Sequence, residues 1–285
     1  MQKENVKRIK VSFCAWRRAA LCLLIVSGLC KVQAQVSNAA QNTAFKSGET
    51  AQYDLYYNWH FVWVKAGAAT MSVSTTTYNG DSAYRVRLLT RGTSQADKFW
   101  VLRDTLTSIM TYNLLPLKYT KTDLEGEKYR VRNVWFYYKN GKSIARQQYI
   151  NPSGKETWKT QTSNATLYDM LSILMRLRSL DASTLNVGHK IKFVMTDGNG
   201  MSEQTLIFRG KKNVKMKNGN GTYRCLVVSY VEYEKGKENE VGTFFVTDDA
   251  NHFPVAANLY LTIGTAKIFL SCCKNLKNPI RAKVG

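Results

Sequence analysis

Proline is scarce in this chain, four in 285 residues, too few to punctuate it into modules joined by stiff linkers. Histidine is scarcer still. His60, His189 and His252 are the only three, which leaves little imidazole for metal binding or proton transfer. Catalytic signatures are missing too. There is no Gly-x-Ser-x-Gly elbow, no Walker loop and no His-Glu-x-x-His, which removes the common hydrolase, nucleotide-binding and zinc-protease readings. Asp197-Gly-Asn-Gly-Met-Ser begins like a calcium loop but lacks an oxygen ligand at the fifth position and glycine at the sixth, so it reads as a turn. No cofactor and no metal is expected. Beyond the N-terminus no run approaches the ~18 apolar residues of a spanning helix, so no transmembrane segment is expected in the mature chain.

What is present begins at that N-terminus. Lys7, Arg8, Lys10, Arg17 and Arg18 precede a short apolar stretch, Ala19 to Leu29, and Val32-Gln-Ala34 offers small residues at −3 and −1. That is the layout of a cleaved export signal over 1–34, and it predicts a protein of the periplasm or cell envelope. A lipoprotein with Cys30 acylated is the rival reading, opposed by the bulky Leu29 before the cysteine. Removing 34 of 285 residues leaves 251, and with them go seven basic residues and one acid, leaving 34 against 19, a net charge of +15. Such a balance attracts anions, which outside the cytoplasm means lipid headgroups, lipopolysaccharide or acidic glycans rather than nucleic acid. The basic residues are scattered, with no block of five or six, so charge that serves solubility alone is the plainer alternative. Cys225, Cys272 and Cys273 remain. A disulfide from Cys225 to one of the pair, Cys272 for instance, competes with Cys225 as a small buried apolar side chain.

Residues 35–47 are small and polar and read as a mobile lead-in. From Gly48 to 285 short β-type runs alternate with Gly, Asn and Asp turns, the pattern of one antiparallel domain. Tyr53 to Val64 reads as one long aromatic strand, which puts Tyr57, Trp59, Phe61 and Trp63 on a single face: packed core, or the wall of a cavity that takes an apolar or amphiphilic anionic ligand. In Ala83 to Leu89, alternation puts Arg85 and Arg87 opposite Tyr84, Val86 and Leu88; Tyr129 to Phe136 repeats the pattern. Thr166 to Leu180 switches to a period of three to four, with Leu167, Met170, Leu171, Leu174 and Leu177 on one face, and predicts a helix capped by Ser163 or Asn164. The expected fold is mainly β: a curved antiparallel sheet or incomplete β-barrel wrapped on one central α-helix.

Asp248, Asp249 and His252, in Thr247-Asp-Asp-Ala-Asn-His-Phe-Pro254, form the best polar constellation, either an acid/base or metal group or plain turn chemistry. No residue stands out as catalytic beyond these.

Gly48-Glu49, Tyr53-x-Leu-x-Tyr57, Trp59 and Lys65-Ala-Gly67-Ala-Ala-Thr resemble the opening of the DUF3108 family of exported bacterial proteins. Tyr168-Asp-Met-Leu-Ser172 with Leu177-Arg178 resembles its central helix, and Gly221-x-Tyr-x-Cys225 with Thr247-Asp-Asp and Pro254-Val its C-terminal half. The resemblance implies an exported, mostly antiparallel β protein, similar to the unclosed barrels of periplasmic lipoprotein carriers, with no activity established for the family. His252 departs from it, standing where a basic residue is typical. Three functions follow: a non-catalytic binder of an apolar or amphiphilic anionic ligand, a scaffold that binds an envelope protein partner through strand edges, or a hydrolase of an envelope polymer using Asp248, Asp249 and His252.

Overall fold

The computed structural model describes residues 40–284 except 60, 61, 235, 262 and 263. The expected signal 1–34, positions 35–39, Phe61 and the side chain of Trp59 lie outside the described residues. Among the described residues fifteen strands form one sheet. The first half runs β1 (Thr50–Trp59), β2 (Val62–Tyr78), β3 (Asp81–Gly92), β4 (Leu102–Met110), β5 (Pro116–Glu125), β6 (Lys128–Lys139), β7 (Lys142–Ile150) and β8 (Glu156–Ser163). The second runs β9 (Leu167–Tyr168), β10 (Lys190–Thr196), β11 (Met201–Lys215), β12 (Thr222–Glu234), β13 (Lys237–Thr247), β14 (Pro254–Tyr260) and β15 (Thr265–Lys274). Their order is β8-β7-β6-β5-β4-β3-β2-β1-β15-β14-β13-β12-β11-β10-β9, so two meanders join where β1 meets β15. Every pair is antiparallel except β9 with β10. Between β2 and β3, and between β6 and β7, the turn residues Asn79, Gly80, Asn140 and Gly141 all have positive φ, the two-residue geometry that matches strand twist and that Asn-Gly adopts at low cost.

The two edges of the sheet, β8 and β9, are separated in the chain by only residues 164–166, so the sheet must curl back on itself. Side chains fasten the seam: Thr196 Oγ1 donates to Gln147 Oε1 at 2.9 Å and Arg132 Nε to Asn199 Oδ1 at 3.1 Å. The result is a nearly closed barrel, mainly β as the alternation predicts. Its interior is filled by side chains such as Phe45, Met110, Leu114, Tyr119, Leu171 and Met175, each under 2 % exposed.

Three expectations need correction. Tyr53 to Val64 is not one strand: β1 ends at Trp59 and β2 starts at Val62, so the segment is a hairpin. The lead-in is packed from Ala40 onward, because Ala44 and Phe45 are buried in the core and Asn42 holds both backbone N–H groups through Oδ1. The predicted helix is shorter. Leu167 and Tyr168 pair with β10, and of the predicted span only α2 (Met170–Arg178) is helical; a four-residue α1 (Ser94–Asp97) lies between β3 and β4. The cap of α2 is Asp169, whose Oδ1 accepts from the backbone N–H groups of Leu171 and Ser172 while Ser172 Oγ accepts from Asp169 N, a reciprocal capping box. Burial pushes the Asp169 carboxyl above its usual range, and Ser108 Oγ on β4 donates to its second oxygen at 2.8 Å. Asp169→Ala should therefore cost about 1–2 kcal/mol in urea unfolding; a loss within error would leave the cap without a role in stability.

The helix sits between two apolar clusters. Leu171 and Met175 join the main core, and Ile173 packs with Tyr168, Phe193, Met195 and Leu206. At its C-terminus the buried Arg178 makes a two-pronged ion pair with the buried Glu49 at 2.5 and 3.1 Å. Its Nε donates to the Asn251 carbonyl at 3.1 Å, and the rings of Phe45 and Phe253 flank the guanidinium at 5.6 and 5.0 Å.

Candidate functional site

The turn between β13 and β14 does not present an open constellation. Asp249 is consumed by the backbone: its Oδ1 accepts from Thr247 Oγ1 and Asn251 N, its Oδ2 from the N–H groups of Arg281 and Ala282. Asp248 is held by Lys211 at 3.0 Å and Arg224 at 2.9 Å. Burial alone would raise its carboxyl, but these two cations outweigh burial and hold it below the usual range. The His252 Nδ1 lies 2.8 Å from the Arg178 carbonyl. All three residues fasten the turn to its surroundings. Among the described residues no group of His, Cys, Asp and Glu is arranged to hold a metal.

The break between β1 and β2 also divides the aromatic run. Tyr57 pairs with Val64, and Asn58 with Trp63, so Tyr57 and Trp63 lie on opposite faces of the ladder. Trp63 has the ammonium groups of Lys267 and Lys217 over its ring at 4.3 and 5.5 Å. The candidate disulfide is not made. Among the described residues Cys225, Cys272 and Cys273 are free, with Cys225 buried and Cys272 exposed. Cys225 is the small core side chain, its thiol pushed up to about 12 by burial together with Asp248 and Asp249.

The barrel's outer wall carries the most distinctive surface. Strand pairing aligns Arg85, Ile109, Lys118, Trp135, Arg146 and Thr160 in one row across β3 to β8. The next row runs Arg87, Thr107, Thr120, Asn133, Gln148 and Trp158. Neither row contains a carboxylate. The rows lie roughly 7 Å apart and span roughly 24 Å at the usual strand rise and spacing. At one end a solvent-open hollow of about 390 Å³ is lined by Arg85, Arg87, Thr107, Ile109, Lys118 and Thr120. At the other, Trp135 and Trp158 stack with centroids 5.6 Å apart and planes 20° apart, Lys118 lying 5.4 Å over the first ring and Arg146 4.6 Å over the second. Cations over ring faces keep both groups in place while half exposed. The alternation of Arg85 and Arg87 was legible in the sequence. The remainder of the surface, Lys118, Trp135, Arg146 and Trp158, was not singled out, although the Asn140-Gly141 turn alone sets Trp135 opposite Arg146.

The inner wall behind it is charged near one end. Asp104 faces Asp123 directly across β4 and β5, and Asp123 is bound by Arg130 at 2.9 Å and by Arg132. Arg130 also reaches Glu125 at 3.2 Å.

Residues 52–271 match the family described as a protein of unknown function, DUF3108. The chain belongs to that family. No curated protein matches it. Among solved structures it is similar to a β-barrel-like DUF1849 protein from Brucella abortus, with a TM-score of 0.54 at 9% identity, covering 84% of this chain and 100% of the other. At that identity the likeness shows the fold alone. A Bacteroides fragilis protein with a YmcC-like fold aligns at a TM-score of 0.35 and 10% identity over 83% of this chain and 100% of its own. Among the described residues of this DUF3108 chain, no helix is long and apolar enough to cross a membrane.

Proposed function

We propose that this DUF3108 protein is an exported, single-domain envelope protein that binds anionic glycans without catalysis, through its outer wall. The observation that carries the reading is the pair of acid-free rows in which Arg85, Arg87, Lys118 and Arg146 share one face with the stacked Trp135 and Trp158. Guanidinium and ammonium groups meet carboxylate or phosphate, and the exposed half of Trp158 packs against the apolar face of a sugar ring. The filled interior argues against a ligand held inside the barrel, and α2 serves there as a plug between the two apolar clusters. The excess of basic residues draws such ligands to the surface.

Titration with purified lipopolysaccharide and with an uncharged glycan, followed by tryptophan fluorescence, tests this. The charged glycan should bind and the uncharged one should not. Trp158→Ala and Arg87→Ser should each weaken binding about tenfold, which corresponds to ~1.4 kcal/mol. Binding that ignores both substitutions would sink the outer-wall reading.

A partner-binding role has one observation in its favour. Strand β8 is an edge strand whose residues are almost all exposed, and an edge of that kind can accept a strand from another protein. A stoichiometric protein captured from the envelope, and lost on substituting Thr160 with proline, would favour it.

A further inference from the structure

The β3–β4 and β5–β6 connections lie side by side at the end of the barrel where β1 and β14 also finish, and they touch. Thr93 N donates to the Ala66 carbonyl and Gly126 N to the Val101 carbonyl, both at 2.9 Å. A Cβ on Gly126 would lie 3.7 Å from the Trp100 ring, and one on Gly264 would lie 3.0 Å from the Tyr57 hydroxyl. Along this rim the large apolar side chains are turned to solvent: Phe99 is 85% exposed, Val62 61%, Tyr129 54% and Val64 43%. A core that buries Phe45, Tyr119 and Phe253 completely leaves these outside.

The charges around them are of one dominant sign. Arg91, Lys98 and Lys128 are exposed, while Asp97 is already paired with Arg103 and Glu125 with Arg130. Glu127 is the exposed acid on the β5–β6 turn. Apolar groups distributed over one connection and the ends of β2 and β6, with cations outside any ion pair around them, match a fluid anionic surface better than a shaped protein groove.

We propose that this rim docks the protein on a bilayer containing anionic phospholipid, with Phe99 and Val62 entering the acyl boundary and Arg91, Lys98 and Lys128 meeting the headgroup phosphates. The site is separate from the outer-wall rows and does not depend on them.

Flotation with phosphatidylcholine vesicles, with and without phosphatidylglycerol, tests it on the protein as its own cells process it. Binding should require phosphatidylglycerol and should weaken with added salt. Phe99→Ser should lower partitioning about tenfold, since a phenylalanine side chain is withdrawn from the apolar phase. Lys98→Glu should also lower it, whereas Trp158→Ala, on the outer wall, should leave it unchanged. Equal binding by the Phe99→Ser protein overturns the proposal. So does a protein that ignores vesicles but sediments as a dimer until Phe99 is replaced, which would assign the rim to a second copy.

Discussion

Glu49→Ala should lower the free energy of unfolding by about 3–5 kcal/mol, because it leaves Arg178 charged and buried without its counter-ion. That is a large part of the ~5–15 kcal/mol that holds a typical domain together. Both side chains are 1% exposed, so water cannot replace the lost carboxylate. Arg178 would keep its bond to the Asn251 carbonyl, and the strain should pass to the turn that Asp249 and His252 fasten. Replacing both partners, Glu49→Leu with Arg178→Met, should recover much of the loss, since two matched apolar groups remove the uncompensated charge. Urea unfolding of the two proteins distinguishes the cases. A single-variant loss below ~1 kcal/mol would mean that Arg178 finds water or another partner, and would falsify the account of this pair as a sealed clamp.

That pair also explains what the family-like motifs are for. Gly48-Glu49 and Leu177-Arg178 are 129 positions apart and meet as one ion pair. Asp169 is the helix cap, and the Asp249 of Thr247-Asp-Asp is a backbone acceptor for the C-terminal tail. Of the residues by which the chain resembles DUF3108, Glu49, Asp169, Arg178 and Asp249 are thus architectural. They tie the N-terminal segment, the helix, a turn and the tail into one clamp at one end of the barrel, and they do not converge on a solvent-open space.

The strands were legible because alternation and Asn-Gly turns are local. Tyr223 to Tyr233 and Lys190 to Thr196 come out as β12 and β10 almost to the residue. The end of β1 was not legible, since Tyr57, Trp59, Phe61 and Trp63 continue the aromatic alternation and no glycine or proline lies between Asn58 and Val64. Alternation also left the sense of a face open. Arg85-Val-Arg87 and Arg130-Val-Arg132 read identically, and the first pair points outward as expected. The second pair faces the interior, held there by the buried Asp123 on β5. Only the pairing of strands brings that aspartate opposite the arginines, and pairing is a property of register rather than of either strand's own pattern.

The same inner layer yields the second large effect. Asp104→Asn should stabilise the protein by about 2 kcal/mol near pH 7 and by almost nothing near pH 4. Asp104 stands opposite Asp123, a like-charged pair across the ladder, and its Oδ1 has no hydrogen-bond partner. Burial pushes its carboxyl up to about 6, with Asp123 and Glu125 adding to the rise and Lys121 and Arg132 opposing it. A carboxyl raised above its unfolded value of about 3.9 is more comfortable protonated in the native state. Its ionisation therefore removes stability as pH climbs from about 4 through about 6, and the full cost is present above that. Asparagine keeps the shape, removes the charge and can donate to Asp123. Thermal unfolding of both proteins between pH 4 and pH 8 reads the difference directly: the curves should separate across that window and run parallel above it. Coincident curves would show that Lys121 and Arg132 already neutralise Asp104, and that the charged inner layer carries no stored cost.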